Sequence, residues 1–390
     1  MPPRRLIPYS LAASSLLALT APVFAQEAET PAPKRTRIIA GPQLSPAWPG
    51  AKDLSIGPYL DLSREHEGTE FTFEAADESF GAPLLQAGDF AFGPAFGFVG
   101  SATMRLAVER GWQVRALTRR PQREREGVIW VEGALDQPDA LAELAAGSDV
   151  VMHIAGVVNV PTRAAFEAGN ATATSNVVDA ARGAGVTRFV HVSSLAAREP
   201  DLSNYGWSKA SDETIVKACG LDWTIVRPPA EFGPGDTEML DIFRMARRGI
   251  ALLPPAGRMS AIYVDELARL LVALAADRDA SIGAIYEPDD GKPGGWSHRS
   301  FARAVGRAVG RSHVSTLTIP ATLLKAGGRI DKLVRRSRAK LTPDRARYIA
   351  HPDWVATTGA CPPPDLWRPE IDTGDALAET VRWYRRENWL

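Results

Sequence analysis

From about Phe90 onward, compact apolar runs alternate with longer stretches in which apolar positions recur every three or four residues. The compact runs predict strands over 112–119 (WQVRALTR), 127–133 (GVIWVEG), 148–156 (SDVVMHIAG), 188–194 (RFVHVSS) and 222–228 (DWTIVRP). The periodic stretches predict helices over 101–111 (SATMRLAVERG), 137–147, 170–185 and 208–220. Strands separated by amphipathic helices demand right-handed crossovers and a parallel sheet covered on both faces. The pattern therefore predicts an α/β fold with a doubly wound parallel sheet of the nucleotide-binding kind, over 89–232. Beyond about Phe232 the alternation fades into a smaller mixed region, 233–390. It has helices over 239–249, 264–277 and 300–310, a basic stretch over 323–341 and a terminal helix over 375–390.

The first 88 residues read differently. Arg4 and Arg5, the apolar run after them and Val23-Phe24-Ala25 have the build of a secretory signal peptide over 1–25. Over 26–88, Pro- and Gly-containing polar text surrounds short period-two pieces: Leu54-Ser55-Ile56, Tyr59-Leu60-Asp61-Leu62 and Phe71-Thr72-Phe73-Glu74. With GPQLSPAWPGAKDLSIGPYLDL and FAFGPAFGF, this segment resembles the start of a MltA-interacting outer-membrane barrel protein. Three or four strands cannot close a barrel, so it is expected to be a fragment, poorly ordered.

Composition narrows the functions. The chain has 390 residues, is 45% hydrophobic and 23% charged, and carries a formal net charge of -1. That balance gives no electrostatic footprint for nucleic acid. Two cysteines, Cys219 and Cys361, and six scattered histidines supply neither a disulfide framework nor metal-ligand spacing, so no metal is expected. No segment is long and apolar enough to predict a stable membrane-spanning helix.

The local chemistry lies at Tyr205-Gly-Trp-Ser-Lys209, after a strand ending Val192-Ser193-Ser194. On a helix, positions i and i+4 share a face, which brings phenol and ammonium side by side. An adjacent ammonium favours phenolate and is expected to lower the tyrosine pKa, suiting proton exchange with a substrate oxygen. A serine at the strand end can bond the same oxygen.

From Gly97 onward, the ordered set of motifs resembles the extended and atypical short-chain dehydrogenase/reductases, the NAD-dependent epimerase/dehydratase group. The motifs are GFVGSATMRLAVERGWQVRALTRRP, His153-Ile-Ala155-Gly156, Asn170-Ala-Thr-Ala-Thr174, RFVHVSS with YGWSK, Arg227-Pro228-Pro229-Ala230 before GPGD, and SAIYVDELA. The resemblance implies a Rossmann-like NAD(P)-binding domain and a C-terminal substrate region. It implies hydride transfer to or from a small carbonyl, a hydroxyl or a nucleotide-sugar substrate. Tyr205 becomes the acid/base and Lys209 its pKa-lowering, ribose-binding partner. Ser194 polarises the substrate oxygen, with Ser193 its rival. Gly97, Phe98, Val99, Gly100, Leu135, Ala155, Gly156, Lys209 and Pro228 fall on cofactor-binding positions. Arg119 and Arg120 close the second strand where an acid would bind a ribose 2'-hydroxyl, so NADP(H) is expected over NAD(H).

The departures are local. Aligned on Gly97 and Gly100, the family's first motif glycine falls on Pro94, and Phe96 adds bulk. Proline has no N–H and fixes φ, which works against a phosphate-cradling turn. The first strand looks missing, with Asp89-Phe90-Ala91-Phe92 in its place, as in a fusion of two sequences at Gly97–Gly100. The alternative is a non-catalytic NADP(H)-binding scaffold resembling the complex I accessory subunit. The leader predicts Sec export to the envelope; the reductase-like body is of a cytoplasmic type.

Overall fold

In the computed structural model the described residues are the backbone of Arg35–Ile39, then 97–277, 279–335 and 341–390, apart from the side chains of Lys332 and Arg335. The expected signal peptide, almost all of the barrel-like segment, Asp89–Phe92, Pro94 and Phe96 lie outside them. All described residues belong to one compact unit, Pro33–Leu390.

The main sheet is parallel throughout. In chain order its elements are β1 (Arg35–Ile39), α1 (Phe98–Glu109), β2 (Gln113–Thr118), β3 (Val128–Glu132), α2 (Pro138–Ala145), β4 (Val150–His153), α3 (Ala173–Gly183), β5 (Arg188–Val192), α4 (Asn204–Lys217) and β6 (Asp222–Val226). The remainder comprises β7 (Ala230–Phe232), α5 (Leu240–Arg247), β8 (Ile250–Leu253), β9 (Arg258–Met259), β10 (Ala261–Tyr263), α6 (Val264–Ala276), β11 (Ile285–Tyr286) and β12 (Trp296–Ser297). After these come α7 (His298–Ala308), β13 (Ser315–Thr318), α8 (Ala321–Arg335), α9 (Pro343–Ile349), β14 (Asp353–Trp354) and α10 (Thr373–Arg386). The strand order β11-β6-β5-β4-β1-β2-β3 is the doubly wound arrangement expected. β4 and β5 are buried along their whole length, as strands covered on both faces must be.

Two sequence expectations change here. The central slot between β2 and β4, expected at Asp89–Phe92, is taken by Arg35–Ile39, which pairs in parallel with both neighbours. Thr36, Ile38 and Ile39 are β-branched and suit a central strand, whereas Asp89 lies next to Gly88 and disfavours one. The text after Phe232 also enters the first half of the molecule. β11 extends the main sheet beside β6, and α6 packs on α1, where Arg105 Nη2 meets Asp265 Oδ1 at 2.6 Å.

Among the described residues, the largest fully buried side chain is Arg188 on β5. It donates to the carbonyls of Asp222, Leu274 and Asp277 and to Ser281 Oγ. Its charge is thus solvated by backbone and ties β5 to the C-terminal end of α6.

Candidate active site

Helix α4 sets the tyrosine. Ser203 caps it by accepting from Gly206 N at 3.0 Å. Gly206 sits so close to the 3-10 turn Leu195–Arg198 that a Cβ there would lie 2.7 Å from Ala196 O. That approach brings Tyr205 against the end of β5, where its hydroxyl hydrogen-bonds Ser194. Ser194 also caps the turn, accepting from Ala196 N at 3.2 Å. Ser193 is committed elsewhere: its Oγ donates to Glu213 Oε1 at 2.7 Å, and Arg227 holds the same carboxylate through two bonds.

Lys209 is buried one turn after Tyr205. Its Nζ donates to Val192 O at 3.2 Å and to Asp212 Oδ2 at 2.6 Å. Behind it, His191 Nε2 lies 3.8 Å from the same oxygen, and His153 is tilted against His191 at 5.3 Å. Burial, with the Lys209 charge, pushes His153 down to about 3 and His191 down as well, so both are neutral.

The expected lowering of the Tyr205 pKa is overturned. Burial raises it well above the ordinary tyrosine value, and Tyr348, Glu231 and Asp212 push the same way against the Ser194 hydrogen bond. The ammonium expected to offset this is engaged by Asp212. Tyr205 is therefore a firmly protonated phenol in this state.

Of the remaining predicted positions, Leu135, Ala155 with Gly156, and Pro228 come after β3, β4 and β6, and Arg119, which is exposed, directly follows β2. Gly97 precedes α1 with no side-chain cap, and the first turn of α1 has no acid. Phe98, Val99 and Gly100 form that turn. Ala155 and Gly156 follow β4, and a Cβ on Gly156 would lie 3.0 Å from Asn170 Oδ1 and 3.7 Å from Lys209 Nζ. Asn170 is fixed within a π-helical segment, Glu167–Thr172. It accepts from Val157 N at 2.6 Å and donates to Val157 O and Ser208 Oγ. Leu135 O accepts from Asn176, and Pro228 O accepts from Leu195 N.

The cleft in front of Tyr205 has a volume of about 1570 Å³. Phe166, Leu195, Met239, Ile242, Leu253 and Trp354 give it apolar walls. Sequence reasoning missed three residues here. Tyr348 on α9 packs edge-on to Tyr205 with centroids 6.1 Å apart, though 143 positions separate them. Asp212 was hidden in a helix surface pattern. Glu231 on β7 faces this cleft, and burial, with Asp236 nearby, raises it to about 8. Its one sequence signal was a lone acid in the strand text PPAEF.

A family model described as NAD(P)H-binding matches residues 95–244. A ceramide reductase of Caulobacter vibrioides is 35% identical over 309 residues, covering 76% of this chain and 94% of that protein. The chain belongs to the extended short-chain dehydrogenase/reductases. A 2-alkyl-3-oxoalkanoate reductase of Stenotrophomonas maltophilia is 28% identical over 294 residues, covering 67% of this chain and 88% of that protein. The fold also matches a solved UDP-glucuronic acid 4-epimerase of Bacillus cereus with UDP-glucuronic acid and NAD. The TM-score is 0.57 at 16% identity, over 74% of this chain and 96% of that one.

As an extended short-chain dehydrogenase/reductase, this is an NAD(P)-binding oxidoreductase. The site suits a nicotinamide dinucleotide: the uncapped start of α1 offers backbone N–H groups to a pyrophosphate, and Gly156 keeps the backbone after β4 close against Asn170 and Lys209, where any side chain would crowd them.

Proposed function

We propose that this chain is an NADP(H)-dependent reductase of a ketone carried on a long-chain, amphiphilic substrate. The observation that carries this reading is the set of apolar walls, Phe166, Leu195, Met239, Ile242, Leu253 and Trp354, in the cleft of about 1570 Å³ in front of Tyr205. Such walls bury alkyl chains at roughly 25 cal/mol per Å². Two relatives are named for ceramide and for a 2-alkyl-3-oxoalkanoate, which supports the same class.

In this reading the nicotinamide, when bound, supplies the hydride to the carbonyl carbon. The chain's own residues handle the oxygen. Ser194 donates a hydrogen bond to it, since Ser193 is already held by Glu213. Tyr205 gives it the phenolic proton, and its raised pKa keeps that proton in place until the oxygen gains charge. Lys209 stands one helical turn away to stabilise the phenolate left behind, released from Asp212 or shared with it. Gly97–Gly100 hold the pyrophosphate, Ala155, Gly156 and Pro228 bound the nicotinamide side, Leu135 borders the adenine side and Arg119 meets the 2'-phosphate.

The test is NADPH oxidation by the purified chain with a long-chain 3-oxo amide, a short-chain 3-oxo ester and a UDP-sugar. Turnover of the long-chain ketone, abolished in Tyr205→Phe, is expected. Turnover of the UDP-sugar alone would replace this reading with an epimerase or dehydratase one.

A further inference from the structure

We infer that helix α8 and the adjoining β8–β13 edge form a docking face for an anionic lipid bilayer, placing the mouth of the cleft against the membrane surface. Leu323, Ile330, Leu333 and Val334 on α8 are 62%, 62%, 80% and 73% exposed. Their spacing of three, four and seven residues puts them on one helical face. The opposite face is already used: a Cβ on Gly328 would meet the Thr342 carbonyl carbon at 2.9 Å, so α8 lies tight against the start of α9.

The apolar surface continues on the strands that lead into α8. Leu317 on β13 is 64% exposed and pairs in register with Leu252 on β8, itself 46% exposed. Leu252 also lines the cleft, so exposed leucines run from the outer surface to the wall of the substrate space. A soluble surface rarely carries such a concentration without a partner.

Charge selects the partner. Lys325 and Arg329, one turn apart on α8, stand at the rim of the cleft. In sequence the segment continues through Lys332, Arg335, Arg336, Arg338 and Lys340, and Asp331 is the single acid between Ala321 and Leu341. An apolar helical face in a cation-rich segment is the signature of a helix lying in an interface of anionic headgroups. Its 15 residues lie along the surface, because no helix among the described residues is long and apolar enough to cross a membrane.

The experiment uses the full chain with vesicles of phosphatidylcholine alone, and of phosphatidylcholine containing about one third phosphatidylglycerol. The Ile330→Asp/Leu333→Asp variant, checked for an unchanged far-ultraviolet spectrum and melting curve, is run beside it. The chain is expected to co-float with the anionic vesicles, with partitioning at least about tenfold weaker for the variant, for neutral vesicles and at high salt. A second readout reports on α8 itself: Leu323→Cys in a Cys361→Ser background, labelled with an environment-sensitive dye, is expected to shift to the blue with anionic vesicles only. An unshifted dye overturns the proposal, even if the chain floats by another segment. Equal partitioning of chain and variant, with equal response to neutral vesicles, also overturns it. A variant that converts a dimer to a monomer while the parent chain ignores vesicles assigns this face to a second copy and overturns it too.

Discussion

Lys209 Nζ lies 2.6 Å from Asp212 Oδ2, one turn along α4, and this pair lies beside two neutral histidines, His153 and His191. The pair is nearly inaccessible, with side chains 5% and 1% exposed. Breaking it strands a buried charge. Asp212→Ala should cost about 3 kcal/mol in urea unfolding, and the Lys209→Met/Asp212→Leu double variant should recover much of that while remaining inactive. Similar losses in both would mean that the pair contributes net stability as an ion pair.

Tyr205 should behave as a proton donor over a wide pH range. Its pKa is pushed above the ordinary value of about 10, so reductive turnover should not fall through loss of its proton below about pH 9. Oxidation of the alcohol, which needs phenolate, should climb with pH over the same range. Tyr205→Phe should lower turnover by about 10²–10⁴. Glu231→Gln removes one negative neighbour and should move the alkaline limb of reduction to lower pH. A pH–rate profile in both directions, for the parent and the two variants, checks all four.

Glu231 also sets a stability window. Burial, with Asp236 nearby, raises its pKa from the ordinary 4.5 to about 8. The folded state therefore holds a proton that the unfolded chain has lost. The associated stability is full below 4.5 and is lost as pH rises through about 8. Glu231→Gln should match the parent melting temperature in acid and exceed it in mild alkali. Calorimetry across that window gives the answer, and parallel curves for the two proteins would contradict the assignment.

Gly156→Ala should report on the cofactor space. The added methyl would stand 3.0 Å from Asn170 Oδ1 and 3.7 Å from Lys209 Nζ. Asn170 cannot turn away without dropping its bonds to Val157 and Ser208. NADPH affinity, followed by tryptophan fluorescence, should weaken about tenfold, with a stability loss of about 1 kcal/mol.

Arg119 and Arg120 offer a test of the proposed preference for NADP(H). Alanine at both should raise the NADPH KM about tenfold and leave the NADH KM nearly unchanged. Equal effects on both cofactors would place the arginines outside the 2'-phosphate site.

The sequence by itself determined the sheet class, the positions of β2 through β6 and the helices between them, and the Tyr205–Lys209 spacing. These are local periodicities, and a period of two or of 3.6 is visible wherever burial imposes it. Only the tertiary structure brought Arg35–Ile39 into the central slot, because strand pairing is settled by neighbours distant in sequence. The same holds for Tyr348 against Tyr205 and for Asp212 as the Lys209 partner. The direction of the Tyr205 shift was decided there too. Spacing places an ammonium one turn away, but burial and the competing carboxylate set the proton's free energy, and neither is written in a five-residue motif.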